Sequence, residues 1–300
     1  FPYDLKALSS QNGDFDMLKA TPFGNKIVLD FAKLVIDNEG LGHDDYTDLL
    51  TVSFSSPDYV GHQFGPQSLE AQDLFLRLDR DLAELMKHLD EKVGEGEYIL
   101  FLSADHGAAQ VPSYLQAHKM APDYWNPVKM EEKIEQVLDG KFGTGDYLEK
   151  YSNDQIFLNH ETIERKNMDL KEVSDLVVKV CIEFDGIAKA ITGIDLASHH
   201  FSDGIFSKLQ MGYSQKSSGD VVLLLEPGWI TYGRQGTTHG SAYPYDTHVP
   251  FLITGKGVNQ GETYKTTYVT DIVPTVCALL GIQAPNACVG NVVPEIITHD

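Results

Sequence analysis

The chain has 300 residues, of which 42% are hydrophobic and 22% are charged, and its formal net charge is −21. This length and composition are typical of one large globular domain, or of a domain that carries an insertion. The negative charge argues against nucleic acid or an anionic membrane as a general partner, and no apolar run reaches the roughly 18 residues of a membrane span. An anionic substrate would need a local positive charge, which a bound divalent metal would supply.

The predicted elements alternate between helices and short apolar strands. The apolar spacing predicts helices over 25–38, 68–92 and 269–281, the last with Gly281 as its C-cap. Compact apolar runs predict strands over 48–55, 97–103, 220–226 and 248–254. Runs that are apolar on both faces are typical of parallel strands in an α/β sheet. We therefore predict an α/β fold with a mostly parallel sheet flanked by helices.

The sequence pattern changes after residue 112. Two amphipathic helices alternate with two strand-like segments, over 130–138, 154–159, 169–184 and 186–192. We predict that 113–198 forms a small inserted α/β subdomain, and that 1–112 and 199–300 form the core.

Acidic and histidine side chains follow several of the predicted strands. Asp58 and His62 come four residues apart after the first strand, and Asp105 and His106 come just after the second. His239 lies in a loop rich in Gly, Thr and Ser before the last strand. Each motif alone is typical of a polar turn. Ligands of open α/β sheets bind beyond the carboxyl ends of the strands, so the three motifs together predict a shared site.

The residue types in these motifs indicate a catalytic metal. Carboxylate and imidazole ligands without thiolates are typical of catalytic zinc. Asp58, His62 and His239 would make a three-ligand site with a position open for substrate. Asp105 and His106 would supply only two ligands to a second metal, so the second site is incomplete.

The segments PDYVGHQFGP (57–66), SADHG (103–107), THGS (238–241) and TDIVPT (270–275) carry a family resemblance. With them the sequence resembles the alkaline phosphatase superfamily, and within it the phosphate-irrepressible bacterial alkaline phosphatases and the nucleotide pyrophosphatase/phosphodiesterases.

The resemblance implies a centre of two zinc ions at the carboxyl edge of the sheet. One zinc would be bound by Asp58, His62 and His239, and the other by Asp105 and His106. It also implies hydrolysis of small phosphate monoesters through a covalent phosphoenzyme, in the periplasm or outside the cell.

The sequence departs from the family pattern at its beginning. The family completes the second zinc site with an aspartate near its N-terminus and uses a Thr or Ser nucleophile, and no matching segment precedes Phe1. We therefore expect the chain to correspond to the C-terminal part of such an enzyme. The nucleophile would then lie upstream of Phe1, and the chain alone would be inactive.

Three alternatives to a phosphomonoesterase stay open at this point. A phosphodiesterase or nucleotide pyrophosphatase would use the same metal ligands, and a truncated metal-binding domain would have no activity of its own. A cofactor-independent phosphoglycerate mutase shares the fold, although no phosphoglycerate pocket is evident. A sulfatase is disfavoured by the 57–66 segment. Cys277 and Cys288 could form a disulfide or remain buried free thiols.

Overall fold

The computed structural model describes residues 2–233 and 235–297. In chain order the helices are α1 (Leu5–Leu8), α2 (Pro22–Glu39), α3 (Ser56–Phe64), α4 (Leu69–Lys92), α5 (Pro112–Ala117), α6 (Val128–Phe142), α7 (His160–Arg165), α8 (Leu170–Cys181), α9 (Gly193–Ser198), α10 (Gly204–Gly212), α11 (Pro244–Thr247) and α12 (Ile272–Leu280). The strands are β1 (Ile99–Ser103), β2 (Leu148–Ser152), β3 (Gln155–Leu158), β4 (Ile187–Thr192), β5 (Val221–Leu225) and β6 (Phe251–Gly255).

Contacts between Cα atoms divide the chain into two units. The first contains the residues up to Val60, Ser68–Asp105 and the residues from Val249 onward. The second contains Gly61–Gln67 and His106–His248, so the division falls inside α3. Across the described residues, none of the helices combines the length and low polarity that crossing a bilayer requires.

The first unit is built around the packing of α2 on α4. Leu29 and Ile36 of α2 and Leu85 of α4 are buried together. The opposite face of α2 is apolar too, but it is at least half exposed at Phe23, Ile27, Phe31 and Leu34. In the same unit β1 pairs with β6 in the antiparallel direction, from Ile99 opposite Gly255 to Ser103 opposite Phe251.

The strand predicted over 48–55 is absent. No residue between 47 and 55 is in a strand, and Leu49 is 85% exposed. A strand exists only where its backbone pairs with a neighbour, and in the described part of this unit β1 and β6 pair with each other. The apolar run therefore predicted neither burial nor a pairing partner correctly, since none of the residues 48–55 is buried.

The second unit contains a four-stranded sheet in the order β2-β3-β5-β4. Asp169 caps the N-terminus of α8, where its carboxylate accepts the Glu172 amide, and the helix buries Val173 and Val177 against the sheet. Helix α6 adds Ile134 and Leu138 to the same core. All five residues of β5 are buried, which explains its uninterrupted apolar sequence.

The direction of the strands differs from the prediction. The α/β class and the strands at 97–103, 220–226 and 248–254 are confirmed as β1, β5 and β6. However, the pairs between the named strands of the described residues are antiparallel, so the predicted mostly parallel sheet is wrong for them. An uninterrupted apolar run indicates a strand that is buried on both faces. Burial alone does not determine the direction of the neighbouring strand.

The predicted limits of the inserted subdomain, 113–198, stay a prediction. Strand β5, which lies outside these limits, pairs with β3 and β4 inside them. The unit that contains all of these strands also extends beyond both limits.

The three cysteines are free thiols, with Cys181 and Cys277 buried and Cys288 partly exposed. Burial raises the pKa of the Cys181 thiol to about 12, so the reactive thiolate is scarce at neutral pH. We expect a disulfide-exchange reagent at pH 8 to label Cys288 rapidly in the native chain and to label Cys181 only after unfolding. Peptide mass spectrometry would locate the label, with the denatured chain as control. Rapid native labelling of Cys181 would contradict the burial argument.

Candidate metal centre

Helix α3 carries the first predicted motif. The helix begins at Ser56, whose amide donates to the Oδ1 atom of buried Asn25 at 3.3 Å. Asp58 lies in its first turn and His62 in its last, so the two side chains, four residues apart, project from one face. The motif alone is typical of a polar turn, but the segment is a helix. Pro57 in the first turn was a sequence signal for a helix start.

His62 is tied to the loop that precedes His239. Its Nδ1 atom lies 2.8 Å from the carbonyl oxygen of Thr237, and the Thr237 amide donates to the His62 carbonyl at 3.1 Å. Gly236 makes this approach possible, because its φ is +80° and a Cβ atom there would lie 1.7 Å from the His62 carbonyl oxygen. Only glycine fits both conditions.

His106 lies in the loop that follows β1, next to the exposed Asp105. Its Nδ1 atom lies 2.8 Å from the Gly107 carbonyl oxygen. The Gly107 amide donates to the Asp246 carbonyl at 2.7 Å, and a Cβ atom at position 107 would lie 2.2 Å from the carbonyl oxygen of Tyr245. The glycine of the Asp-His-Gly motif is therefore required by the close passage of another backbone segment.

Two further hydrogen bonds join the loops of His106 and His239. The Ala109 amide donates to the Thr238 carbonyl at 3.2 Å. The Thr237 hydroxyl, which is fully buried, donates to the Ala109 carbonyl at 2.7 Å. One backbone bond and one side-chain bond therefore hold the two histidine-bearing loops at a fixed distance.

The result is a cluster of three imidazoles, His62, His106 and His239. The ring centroids of His106 and His239 are 3.3 Å apart with an angle of 12° between the planes. Those of His62 and His239 are 5.1 Å apart with an angle of 44°. One ring nitrogen of His106 and one of His239 lie within 4.8 Å of each other, close enough to bind a common ion.

The hydrogen bonds of the imidazoles fit a metal. With its proton on Nδ1, each of His62 and His106 donates to a backbone carbonyl, which puts the lone pair on Nε2. Histidine ligands are commonly oriented through such a bond from the second nitrogen. Nitrogen donors from several imidazoles suit zinc well. The division of the five predicted ligands between two zinc ions stays a prediction.

The sequence analysis missed Asp246, Thr237 and Tyr232. The buried Asp246 accepts the amide and hydroxyl of Ser241 on Oδ2, at 2.7 and 2.6 Å, just after His239. The ring of Tyr232 stacks on His62 with centroids 5.8 Å apart. These roles depend on contacts between distant segments, and no local sequence signal indicates them.

Replacing Thr237 with valine tests the link between the two loops. We expect Thr237→Val to lower the free energy of unfolding by about 1–3 kcal/mol, because the buried Ala109 carbonyl loses its hydroxyl donor. Urea unfolding followed by circular dichroism measures the change. Thr237→Ser keeps the hydroxyl and should lose clearly less. A larger loss in Thr237→Ser than in Thr237→Val would mean that the methyl group, not the hydrogen bond, matters.

Comparison with known proteins places the fold and motifs in a family. The sequence profile of the type I phosphodiesterase / nucleotide pyrophosphatase family matches residues 6–249. The chain belongs to this family, which confirms the resemblance to the alkaline phosphatase superfamily drawn from the motifs.

Two curated relatives match nearly all of the chain. It is 40% identical to a protein of Myroides odoratus named calcium-transporting ATPase, over 99% of this chain and 55% of the relative. It is 38% identical to alkaline phosphatase PafA of Elizabethkingia meningoseptica, over 99% of this chain and 54% of the relative. The chain therefore spans about half the length of the curated relatives it matches.

The crystal structure of wild-type alkaline phosphatase PafA superimposes with a TM-score of 0.90 at 37% identity. The match covers 99% of this chain and 57% of PafA. It confirms the predicted alkaline-phosphatase-like α/β fold.

Proposed function

We propose that the protein to which this chain belongs hydrolyses phosphate monoesters with zinc bound at the histidine cluster. The observation that carries the proposal is the cluster itself, in which His62, His106 and His239 meet and the first two are oriented by backbone carbonyls. Family membership supports phosphoester chemistry, and the name of the PafA relative supports monoesters.

Five residues would hold the metal. His62 and His239 would bind one zinc together with Asp58, whose place one turn before His62 puts it on the same helix face. His106 would bind a second zinc with Asp105, its neighbour in the chain. Bound zinc would supply positive charge to the phosphoryl oxygens and lower the pKa of an attacking hydroxyl.

The chain's own residues contribute positioning. The carbonyls of Thr237 and Gly107 hold the rings of His62 and His106, so that each presents the same nitrogen. The link between Thr237 and Ala109 keeps the loops in place as substrate enters. We propose that a Thr or Ser nucleophile lies in a part of the protein outside these 300 residues, and that the location is periplasmic or extracellular.

Two other activities use the same centre. The description of the family favours cleavage of phosphodiesters and nucleotide pyrophosphates, and the name of the Myroides relative draws attention to ATP. A metal-binding domain without activity of its own remains the non-enzymatic alternative. The preferred substrate of the intact protein distinguishes these enzyme activities from one another. Hydrolysis by the intact protein would exclude the binding domain.

The test compares steady-state hydrolysis of p-nitrophenyl phosphate, bis-p-nitrophenyl phosphate and ATP. The intact protein should hydrolyse the monoester fastest, lose activity in EDTA and regain it with zinc. The 300-residue chain with excess zinc should stay near background while still binding zinc. A preference for the diester or for ATP would replace the proposed substrate class. Robust turnover by the 300-residue chain would refute the external nucleophile.

A further inference from the structure

A cavity of about 250 Å³ lies against β5 in the second unit. Asp154 contributes to its wall from the turn between β2 and β3, and Lys208 from α10. Trp229, Tyr243 and Tyr245 add aromatic surface. The proposed phosphoester chemistry uses none of these side chains.

Asp154 presents an acceptor that the protein leaves available. The hydroxyls of Tyr151 and Thr231 both donate to its Oδ1 atom, at 2.6 and 3.1 Å. Among the described residues, no donor is hydrogen-bonded to Oδ2. Burial raises the pKa of this carboxyl, against the effect of the two hydroxyls, which reflects the cost of removing a charge from water. A donor on a ligand would reduce that cost.

Lys208 presents the complementary donor. Its ammonium group donates to the Thr247 hydroxyl at 3.0 Å and to the Ala242 carbonyl at 3.3 Å. An ammonium has three donors, and a third acceptor is not found in the described part of the chain. The formal charges of Lys208 and Asp154 cancel, so the wall of the cavity is close to neutral.

The aromatic rings are held in place before any ligand arrives. The Tyr243 hydroxyl donates to the Leu225 carbonyl at 2.9 Å, and the Tyr245 hydroxyl accepts the Gly228 amide at 3.2 Å. The two rings stack with centroids 5.5 Å apart. A ligand that packs against them loses little binding energy to ordering the site.

We propose that this cavity binds a neutral, polyhydroxylated ligand of monosaccharide size. Its volume is just below the roughly 300–1,000 Å³ of pockets for drug-sized molecules. One hydroxyl of such a ligand donates to Asp154 and another accepts from Lys208. The C–H surface of its ring packs on the aromatic side chains.

The charges of the wall argue against ionic ligands. A small ammonium ion would be attracted by Asp154 and repelled by Lys208. A small carboxylate would be attracted by Lys208 and repelled by Asp154. A ligand that carries no ion and that both donates and accepts hydrogen bonds satisfies the two groups at once.

Calorimetric titration of the 300-residue chain in EDTA tests the proposal without the metal centre. The probes are D-glucose, D-galactose, D-mannose, D-ribose and myo-inositol, with tetramethylammonium and acetate as ionic comparisons. At least one polyol should bind with a Kd of about 1 mM or tighter. Asp154→Asn and Lys208→Met should each weaken it at least about tenfold. Lys216→Met is the control, because Lys216 is exposed and does not line the cavity.

Three results would overturn the proposal. They are no saturable binding of any of the five polyols, tighter binding of either ion, and polyol binding that Lys208→Met leaves unchanged. Lys208 is exposed, so its variant should fold even if Asp154→Asn does not. Circular dichroism shows whether the Lys208→Met and Asp154→Asn variants are folded.

Discussion

His239→Ala should weaken zinc binding by the 300-residue chain at least about 100-fold, and should lower turnover of the intact protein by orders of magnitude. His239 is the imidazole that lies between the other two in the cluster, 3.3 Å from the ring of His106 and 5.1 Å from that of His62. Loss of groups that only orient a ligand typically costs 10–100-fold in metal affinity, and loss of a ligand itself costs at least as much.

Competition with a chromophoric chelator measures zinc affinity without depending on catalysis. His118→Ala is the matched control, because its Nδ1 also bonds a backbone carbonyl, that of Tyr114, at 2.8 Å, but the ring lies outside the cluster. It should leave zinc affinity unchanged. If His239→Ala bound zinc as tightly as the unmodified chain, the proposed first zinc site would be wrong.

Gly236→Ala should destabilise the chain by more than about 2 kcal/mol and weaken zinc binding as well. The added Cβ would need a backbone conformation with φ of +80° and would lie 1.7 Å from the His62 carbonyl oxygen. Since a backbone atom cannot rotate away, the loop must shift from α3, and both hydrogen bonds between His62 and Thr237 are strained.

Gly233→Ala is the control from the same loop. A Cβ atom there meets nothing within 4 Å, so the change in the free energy of unfolding should stay within about 0.5 kcal/mol. Urea unfolding and chelator competition give the two readouts. A Gly236→Ala variant that matched this control in both would show that the loop does not need its close approach to α3.

The site residues could be predicted from sequence because their chemistry is local. Asp58 and His62 at a spacing of four, the Asp105-His106 pair and the glycine-flanked His239 are recognisable one motif at a time. The groups that orient these residues could not be predicted from the sequence. The carbonyl of Thr237 and the buried carboxylate of Asp246 act across long stretches of chain, and any residue type supplies a carbonyl.

The sequence by itself determined which segments are apolar enough to be buried and which residues can bind metal, because side-chain chemistry and periodicity are properties of short segments. It therefore predicted α2, α4, β1, β5 and β6, and also Gly281 as the cap of α12, where its φ is +65°. Only the tertiary structure decided that β5 pairs in the antiparallel direction with β3 and β4, and that 48–55 is not a strand. Strand pairing is a property of two distant segments, and its direction depends on hydrogen bonds between backbones that are chemically the same in every residue.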